Sequence, residues 1–447
     1  MRRLLITGGE DPLFSGERLA GGELSGPLTH ENCLALQARF PWTAPSCPRG
    51  KRITFGLGDR LGIAAPAQLA ALAGTEVFPV LAQQSSRELK LTHRSNREML
   101  DDVAWEVFQA GYQGGYAADG DHLKTEEEVR RALADGDTMI TLDCSDYIDT
   151  AAYRLHEEDA WARCRALFPE KTLETWTRTY CGKQFARPGV TVTFPQEGFA
   201  QLLLTYARAV QFAAQIWQNL ILPVRDTVAF ELSIDETEIP TSPCAHYFVA
   251  AELQAAQVTL DSLAPRFCGE FQKGIDYIGQ TADFERDFSA HTAIAAAFGY
   301  RISVHSGSDK FRIFQIVGRC PEGYHLKTSG TSWVEAVRVI AMCEPALFRR
   351  MWACACTYFE QARAYYHVSA ALADAPEVPA LPDDPCPRQI LYITYGFLLA
   401  KQEDGEPTLR ADIYAALRRH EAVFRQIITA HIRRHLTALG LCETPQQ

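Results

Sequence analysis

The sequence predicts an α/β protein built on a (β/α)8 TIM-like barrel, with a helical insertion after the fourth strand and a helical C-terminal extension. Eight short apolar runs recur along the chain, each closed by polar residues and most followed by a helical pattern. The runs are continuous rather than alternating, which is typical of parallel strands buried on both faces. Eight such units in one chain favour a closed barrel over an open doubly wound sheet.

The predicted strands fall into two groups of four, separated by a long helical segment at about 147–222. The strands are expected at 53–59, 76–84, 114–122, 138–146, 227–235, 273–279, 301–310 and 323–330. The later part of the chain has a helical pattern that a proline-rich connector interrupts. We therefore expect an N-terminal segment at 1–50, the barrel domain at 51–345 and the helical extension at 346–447.

Composition excludes several classes of protein. The chain has 447 residues, of which 47% are hydrophobic and 22% charged, as in a soluble globular protein. Its formal net charge of −11 argues against a general binder of nucleic acid or of anionic membranes. The N-terminal apolar run is too short for a secretory signal, and no stretch is long enough to span a membrane. We expect a cytoplasmic protein with a small-molecule substrate, and a homo-oligomer stays possible.

The thirteen cysteines are scattered and form no C-x-x-C pair. This pattern indicates separate thiols in a reducing compartment rather than a disulfide framework or a zinc ribbon.

The stretch "TFGLGDRLG" at 54–62 has the parts of a dinucleotide-binding turn, namely a short strand, spaced glycines and a following helix. Its third glycine falls one position later than G-x-G-x-x-G requires, and the next predicted strand ends in glutamines instead of an acidic residue. We therefore expect no NAD site. The stretch is interpreted as the first barrel strand, with Gly56 and Gly58 permitting close packing and Asp59 and Arg60 delivered to the mouth.

Polar and ionisable side chains stand at the predicted C-terminal ends of the strands, where barrel enzymes carry their functional residues. In strand order they are Asp59 and Arg60; Gln83 and Gln84; Asp119, Asp121 and His122; Asp143 and Asp146; Glu231, Ser233 and Asp235; Asp276; His305, Ser306, Asp309 and Lys310; and His325, Lys327, Thr328 and Ser329. Burying such groups is costly unless they pair or bind a metal.

A divalent metal site is the simplest explanation for several of them. The best candidate ligands are His122, Glu231, His305 and His325, each on a different predicted strand. Oxygen and imidazole ligands together suit Zn, Mn, Ni, Fe or Co. Which three or four of the candidates bind is left open by the sequence.

Acid–base and substrate-binding roles are assigned from the same strand ends. Asp276, expected within the sixth strand, is either a base or a partner that orients a histidine, and Asp146 either acts as a base or caps a helix. Asp121 is the third candidate acid or base. Cationic side chains are expected to hold a substrate carboxylate, and amides and hydroxyls to complete the pocket. The candidate substrate-binding residues are Arg60, Gln83, Lys124, Asp309, Lys310, Lys327 and Thr328.

Five segments carry a family resemblance. They are "ADGDHLKT" (118–125), "FELSIDET" (230–237), "KGIDYIGQT" (273–281), "VHSGSDKF" (304–311) and "YHLKTSGTSW" (324–333). At these segments the chain resembles the tagaturonate/fructuronate epimerase family of hexuronate catabolism. The resemblance implies a divalent-metal-dependent isomerase that interconverts D-tagaturonate and D-fructuronate by inversion at C4.

Inversion at C4 restricts the mechanisms that such an enzyme can use. The hydrogen on C4 of a 2-keto sugar is not adjacent to the ketone, so simple proton exchange cannot invert this centre. One route opens the C3–C4 bond by retro-aldol cleavage through a metal-bound enediolate and closes it on the other face. The other route oxidises C4 transiently with bound NAD. Two alternative functions remain: a metal-dependent aldolase or isomerase of sugar acids or ketoses, and a non-catalytic sugar-acid-binding subunit.

Overall fold

The computed structural model describes residues 3–7, 9, 11–328, 330–400 and 408–443. Its centre is a closed barrel of eight parallel strands surrounded by helices, which confirms the predicted fold class. Ser329 is the one candidate strand-end residue that lies outside the described residues.

Thirteen strands are described. They are β1 (Leu4–Ile6), β2 (Glu17–Arg18), β3 (Leu24–Gly26), β4 (Ile53–Gly56), β5 (Phe78–Ser85), β6 (Ala117–Leu123), β7 (Met139–Asp143), β8 (Gln184–Arg187), β9 (Val190–Thr193), β10 (Ala229–Ile234), β11 (Ser262–Pro265), β12 (Arg301–Val304) and β13 (Tyr324–Lys327). The barrel runs β4-β5-β6-β7-β10-β11-β12-β13 and closes from β13 back to β4. Strands β1, β3 and β2 form a small antiparallel sheet.

Seventeen α-helices are described. They are α1 (His30–Arg39), α2 (Ala65–Leu72), α3 (Ser86–Thr92), α4 (Asn96–Ala110), α5 (Glu126–Asp135), α6 (Glu157–Leu167), α7 (Glu170–Tyr180), α8 (Phe199–Ile216), α9 (Pro243–Ala255), α10 (Thr281–Phe298), α11 (Phe311–Gly318), α12 (Thr331–Cys343), α13 (Pro345–Arg363), α14 (Pro385–Ile393), α15 (Tyr395–Leu399), α16 (Arg410–Arg419) and α17 (Glu421–Ala438). None of the described helices is long and apolar enough to cross a membrane.

The predicted position of the sixth strand is wrong. The strand is β11, only four residues long and ending in proline, a residue that ordinarily argues against a central strand. The segment 273–279 instead lies in the loop that follows β11. Asp276 is therefore not a strand residue. Its Oδ1 accepts hydrogen bonds from the backbone N–H groups of Tyr277 (2.7 Å) and Arg312 (3.2 Å), so it ties this loop to the start of α11.

The insertion after the fourth barrel strand contains α6, α7 and α8, as the sequence predicts, and also the hairpin β8–β9, which the sequence pattern did not indicate. It packs against α9 through aromatic side chains. The indole N–H of Trp176 and the hydroxyl of Tyr180 each donate to Glu252 of α9 at 2.6 Å. The insertion is thus attached to the outside of the barrel.

The C-terminal helices return to the barrel. Helix α17 packs against α2, α11 and α12, and Tyr414 of α16 donates to the carbonyl of Leu61 at 2.6 Å. The extension therefore covers the loops that follow β4 and β12. The predicted limits of the three domains stay predictions.

The glycine-rich segment forms the end of β4 and the loop after it. A Cβ at Gly56 would overlap the Gln83 amide, so glycine lets that side chain cross the barrel. Asp59 accepts hydrogen bonds from the N–H groups of Leu61 (2.9 Å), Ile63 (2.5 Å) and Ala64 (2.5 Å). The loop's N–H groups are thus bonded within the loop itself. That no NAD is bound stays a prediction.

Candidate active site

A cleft opens at the C-terminal ends of the barrel strands. It consists of two adjoining cavities of about 410 and 330 Å³ and is called the mouth cleft below. The two cavities share Arg87, Asp235, Glu236, Lys273, His305, Ser306, Tyr365 and Tyr366. The tyrosines come from the segment after α13, so the C-terminal extension forms one wall of the cleft.

The interior of the barrel below the cleft is polar. Barrels of this class usually fill that space with branched apolar side chains. Here it holds buried polar residues from successive strands: Thr54, Gln83, Asp119, Thr141, Glu231, Ser262, Ser303 and His325. Polar groups are costly to bury unless they bond one another, so this layer indicates that the strands are specialised to support charged groups above it.

Lys327 stands at the centre of this charged layer. Its Nζ lies 2.5 Å from Asp121, 3.1 Å from Glu231 and 3.3 Å from Asp119, and it donates to Thr141 at 2.9 Å. Burial opposes the charge, but the carboxylates, led by Asp121, outweigh it and raise the pKa of Lys327 well above its usual value. Lys327 is therefore an ammonium donor and not a neutral amine nucleophile.

His305 lies between two carboxylates. Its Nε2 is 2.8 Å from Glu231 and its Nδ1 is 3.0 Å from Asp235. Burial lowers the affinity of the ring for a proton, but Asp235 in particular reverses this effect and raises the pKa of His305. Glu231 also accepts from Ser262 at 2.5 Å and from Thr141 at 3.2 Å, so both of its oxygens already have protein donors.

His122 faces His305 across the cleft, with ring centres 5.0 Å apart. Its Nδ1 lies 3.2 Å from Asp143, and its Nε2 lies 3.9 Å from Asp121. Burial again opposes the positive charge, but Asp121 and the bond to Asp143 raise the pKa of His122 to about 10. In return, the hydrogen bond from His122 overcomes burial and lowers the pKa of Asp143 to about 2.

Two groups among the described residues have donor atoms close enough to hold a metal ion. One is His122, Asp143 and Glu236 in the mouth cleft, and the other is Asp309, His431 and His435 near α17. In the second group the donor atoms already bond one another. Asp309 pairs with His431 at 2.7 Å, while His435 accepts from the backbone N–H of Asp309 at 3.0 Å. Of the two groups, the first lines the mouth cleft and the second does not, so the first is the better candidate.

His325 lies deeper than the other candidate ligands. Its Nδ1 is 2.8 Å from the Thr54 hydroxyl and its Nε2 is 3.1 Å from the amide of Gln83. Burial lowers the pKa of His325 to about 3, so the ring is neutral. Gln83 also donates to Asp119 at 2.9 Å. His325 and Gln83 therefore support the floor of the site, and neither lines the mouth cleft.

Arg60, a predicted substrate anchor, is turned away from the cleft. Its guanidinium is buried, bonds Glu88 and the carbonyl of Tyr392, and lies 3.7 Å from the ring centre of Tyr395. These partners come from α3 and from the C-terminal helices. The structure thus gives Arg60 a role in joining the extension to the barrel.

Asp309, Lys310 and Thr328 also have internal partners. Asp309 pairs with Arg388 of α14 at 2.7 Å. Lys310 donates to three backbone carbonyls at 2.6–2.9 Å, one of which belongs to Ile275, and so holds the loop that carries Asp276. Thr328 donates to the carbonyl of Gly56 at 2.8 Å. These contacts place the three residues behind the cleft wall.

The remaining predicted residues lie at or near the cleft. Asp121, Lys124 and Lys327 line it. Asp146 pairs with Lys124 at 2.9 Å, and its side chain is 61% exposed, so it lies at the outer edge. The catalytic, metal and substrate roles of all the candidates stay predictions.

Several cleft residues were missed by the sequence reasoning. Among the missed cations, Arg87 and Lys90 follow the second barrel strand, and Arg266 and Lys273 follow the sixth. The misplaced sixth strand explains the last two, because Lys273 was expected at the opposite end of the barrel. Tyr365 and Tyr366 belong to the C-terminal extension, and no local pattern marks them as cleft residues.

Comparison with known proteins agrees with this geometry. The chain matches the family UxaE: tagaturonate epimerase over residues 16–439. The tagaturonate/fructuronate epimerase of Thermotoga maritima is 39% identical over 420 residues, covering 92% of this chain and 85% of that protein. The native crystal structure of the fructuronate-tagaturonate epimerase UxaE from Cohnella laeviribosi has a TM-score of 0.93 at 42% identity, covering 98% of this chain and 91% of that one.

A second crystal structure of the Cohnella laeviribosi enzyme, with two glycerol molecules, has a TM-score of 0.94 at 43% identity, with 98% of this chain and 92% of that chain covered. The expectation of an enzyme of the isomerase class is thereby confirmed, as is the resemblance found in the sequence. The chain belongs to the tagaturonate epimerase family.

Proposed function

We propose that the protein is a metal-dependent epimerase that interconverts D-tagaturonate and D-fructuronate by inversion at C4, through retro-aldol cleavage and re-addition. Family membership and the named activities of the relatives support the substrates. One observation carries the mechanism: His122 and His305 face each other at 5.0 Å above a lysine that three carboxylates surround.

The residues fit a divalent metal ion. His122 and His305 face each other across the mouth cleft with ring centres 5.0 Å apart, and imidazole nitrogens are ligands that a divalent ion such as zinc would take. Asp143 lies behind His122 and Asp235 behind His305, the arrangement that orients metal-binding histidines. The donor atoms of His122, Asp143 and Glu236 lie within 4.8 Å of one another. A bound ion would act as a Lewis acid toward the ketone and hydroxyl oxygens of the substrate.

Of the two other predicted ligands, His325 is less suited, because it lies below the mouth cleft between Thr54 and Gln83. We propose His122 and His305 as the histidine ligands, and Glu236 or Glu231, which lies 2.8 Å from Nε2 of His305, as the carboxylate ligand.

Asp121 is the proposed acid–base group. It lines the mouth cleft between Lys327 and His122, whereas Asp276 bonds backbone N–H groups and Asp146 lies at the outer edge. Burial would raise its pKa, but Lys327 reverses this, so the Asp121 pKa is lowered and the group is a carboxylate at neutral pH. As a carboxylate it can accept the proton of the C4 hydroxyl.

The steps balance without an external reactant. Asp121 takes the O4 proton, and the C3–C4 bond breaks to give a three-carbon enediolate and a three-carbon aldehyde that carries the carboxylate. The aldehyde turns about its C4–C5 bond, and C3 attacks the opposite face. Asp121 then returns the proton to O4, while the ammonium of Lys327 stabilises the negative charge that develops on oxygen.

Product analysis tests this function. We expect purified protein incubated with D-fructuronate to form D-tagaturonate, with the six-carbon sugar acids conserved in total. Accumulation of three-carbon fragments as the main products would indicate an aldolase instead. Binding of the sugar acid without any conversion, in the presence of added divalent metal, would indicate a binding subunit.

A further inference from the structure

The mouth cleft contains more cations than those predicted from the sequence, and most of them are already paired. The cations that line it are Arg87, Lys90, Lys124, Arg266, Lys273 and Lys327. Arg87 pairs with Glu236, Lys90 with Glu128, Lys124 with Asp146 and Asp143, and Lys327 with three carboxylates.

Arg266 differs from the others. Among the residues that the structure describes, no side chain or carbonyl accepts a hydrogen bond from its guanidinium, and its Nε is buried without an acceptor. The backbone, in contrast, is held firmly. The N–H of Arg266 donates to the Thr241 hydroxyl at 3.1 Å, and its carbonyl accepts from the N–H of Thr241 at 2.8 Å. Arg266 thus has a fixed backbone and a guanidinium with hydrogen-bond donors left for a ligand.

Lys273 lies on the same loop and lines the same cavity. Its Nζ bonds only the hydroxyl of Ser306, at 2.8 Å, among the described residues. Ser306 directly follows His305 in the chain. Lys273 therefore lies next to His305, and Arg266 lines the same cavity as these two residues, on the side formed by β11 and β12.

We propose that Arg266, assisted by Lys273, binds the carboxylate of the substrate; this assignment rests on the proposed function. A guanidinium binds a carboxylate through two parallel hydrogen bonds, which a lysine alone cannot provide. The same cavity is lined by Asp235, Glu236, Glu238 and Glu270. These acids disfavour a doubly charged phosphate, so the subsite suits a singly charged carboxylate.

The carboxylate anchor has a consequence for the reaction. After the C3–C4 bond breaks, the aldehyde fragment carries the carboxylate and must turn about C4–C5 without leaving. A guanidinium that holds the carboxylate retains the fragment and leaves the aldehyde free to turn. Arg266 is thus a substrate-binding residue whose loss weakens binding and releases fragments.

The test compares Arg266→Gln and Arg266→Lys with the wild type. We expect Arg266→Gln to raise KM for D-fructuronate by about 10- to 100-fold, the loss of a charged hydrogen-bonded pair, and to release measurable three-carbon aldehyde. Arg266→Lys should recover part of the loss in KM. Because nothing in the described fold bonds the guanidinium, Tm should not fall. Arg178→Gln, an exposed arginine on α7, is the control and should behave as wild type.

Binding without turnover separates this proposal from the proposed function. By calorimetry, D-gluconate should bind the wild type more tightly than the uncharged D-sorbitol or inorganic phosphate, and Arg266→Gln should lose that preference. Failure of the wild type to epimerise would count against the proposed function alone. Unchanged KM and unchanged D-gluconate affinity in Arg266→Gln would overturn the assignment of Arg266, and tighter phosphate binding would overturn the carboxylate class.

Discussion

The ammonium of Lys327 lies 2.5 Å from the carboxylate of Asp121, inside a barrel where both side chains are almost completely buried. Two further carboxylates, those of Asp119 and Glu231, lie within 3.3 Å of the same nitrogen. The pair therefore holds the proposed base ionised and the proposed donor protonated at neutral pH.

Replacing Lys327 by methionine should abolish most of the activity. Without the ammonium, the buried carboxylates of Asp119, Asp121 and Glu231 lose their cation and bind protons, so Asp121 can no longer accept one. We expect kcat to fall by roughly 10²- to 10⁴-fold, the range for a lost acid–base group. Steady-state kinetics with D-fructuronate measures this, with Lys171→Met on the exposed face of α7 as the control. A variant that keeps more than about a tenth of the wild-type kcat would refute this role.

Replacing Arg60 by methionine should destabilise the protein without affecting substrate binding. The change leaves Glu88 buried without its cation, and breaking a buried pair costs about 3–5 kcal/mol. Urea unfolding gives the free energy of unfolding, and the double variant Arg60→Met/Glu88→Leu should recover part of the loss. A stable Arg60→Met variant with a raised KM would instead support the substrate role predicted from the sequence.

Stability should decrease below about pH 6.5, partly because of His435. Burial, followed by the charge of His431, lowers the pKa of His435 to about 4 from an ordinary 6.5. Between these values the unfolded chain binds a proton that the folded protein does not, so the free energy of unfolding falls as pH falls. The full effect is up to roughly 3 kcal/mol.

Urea unfolding at about pH 7 and about pH 4.5 checks the contribution of His435. His435→Gln should show a smaller loss between the two values than the wild type, since it lacks the titrating ring. His367→Gln is the control, because its side chain is 81% exposed. An equal loss in His435→Gln and the wild type would contradict the assignment.

Deuterium on C4 of the substrate distinguishes the two chemical routes. In the retro-aldol route the C4–H bond is never broken, so D-fructuronate labelled at C4 should react at nearly the rate of the unlabelled sugar. Competition between the two in one reaction mixture measures the ratio. A several-fold slower reaction of the labelled sugar, with deuterium appearing in bound NADH, would establish transient oxidation instead.

The sequence predicts the barrel well because seven of its strands are apolar runs between polar ends. The position of the sixth strand is predicted wrongly for a physical reason. Strand β11 has four residues and ends in Pro265, so its apolar pattern is weaker than that of the loop segment 273–279. Its stability comes from ladders with β10 and β12, which no local pattern reveals. Arg266 and Lys273 were missed as a direct result.

The site residues were also predicted only in part, because strand position determines the orientation of some side chains and distant contacts determine that of others. Residues at the C-terminal ends of correctly placed strands, such as His122 and Lys327, line the barrel mouth as their position predicts. Arg60 also follows a strand, but Glu88 and Tyr395 draw it toward the C-terminal helices. Its orientation depends on a partner more than 300 positions away in the chain, and such contacts cannot be read from the spacing of residues.

The most direct test of the central claim is epimerisation before and after removal of metal. We expect the purified enzyme to convert D-fructuronate to D-tagaturonate, to lose this activity with a chelator, and to regain it with Mn, Zn, Ni, Fe or Co. His122→Ala and His305→Ala should contain less metal by elemental analysis and should not regain activity. Full turnover by chelated protein that elemental analysis shows to be free of metal would contradict the account.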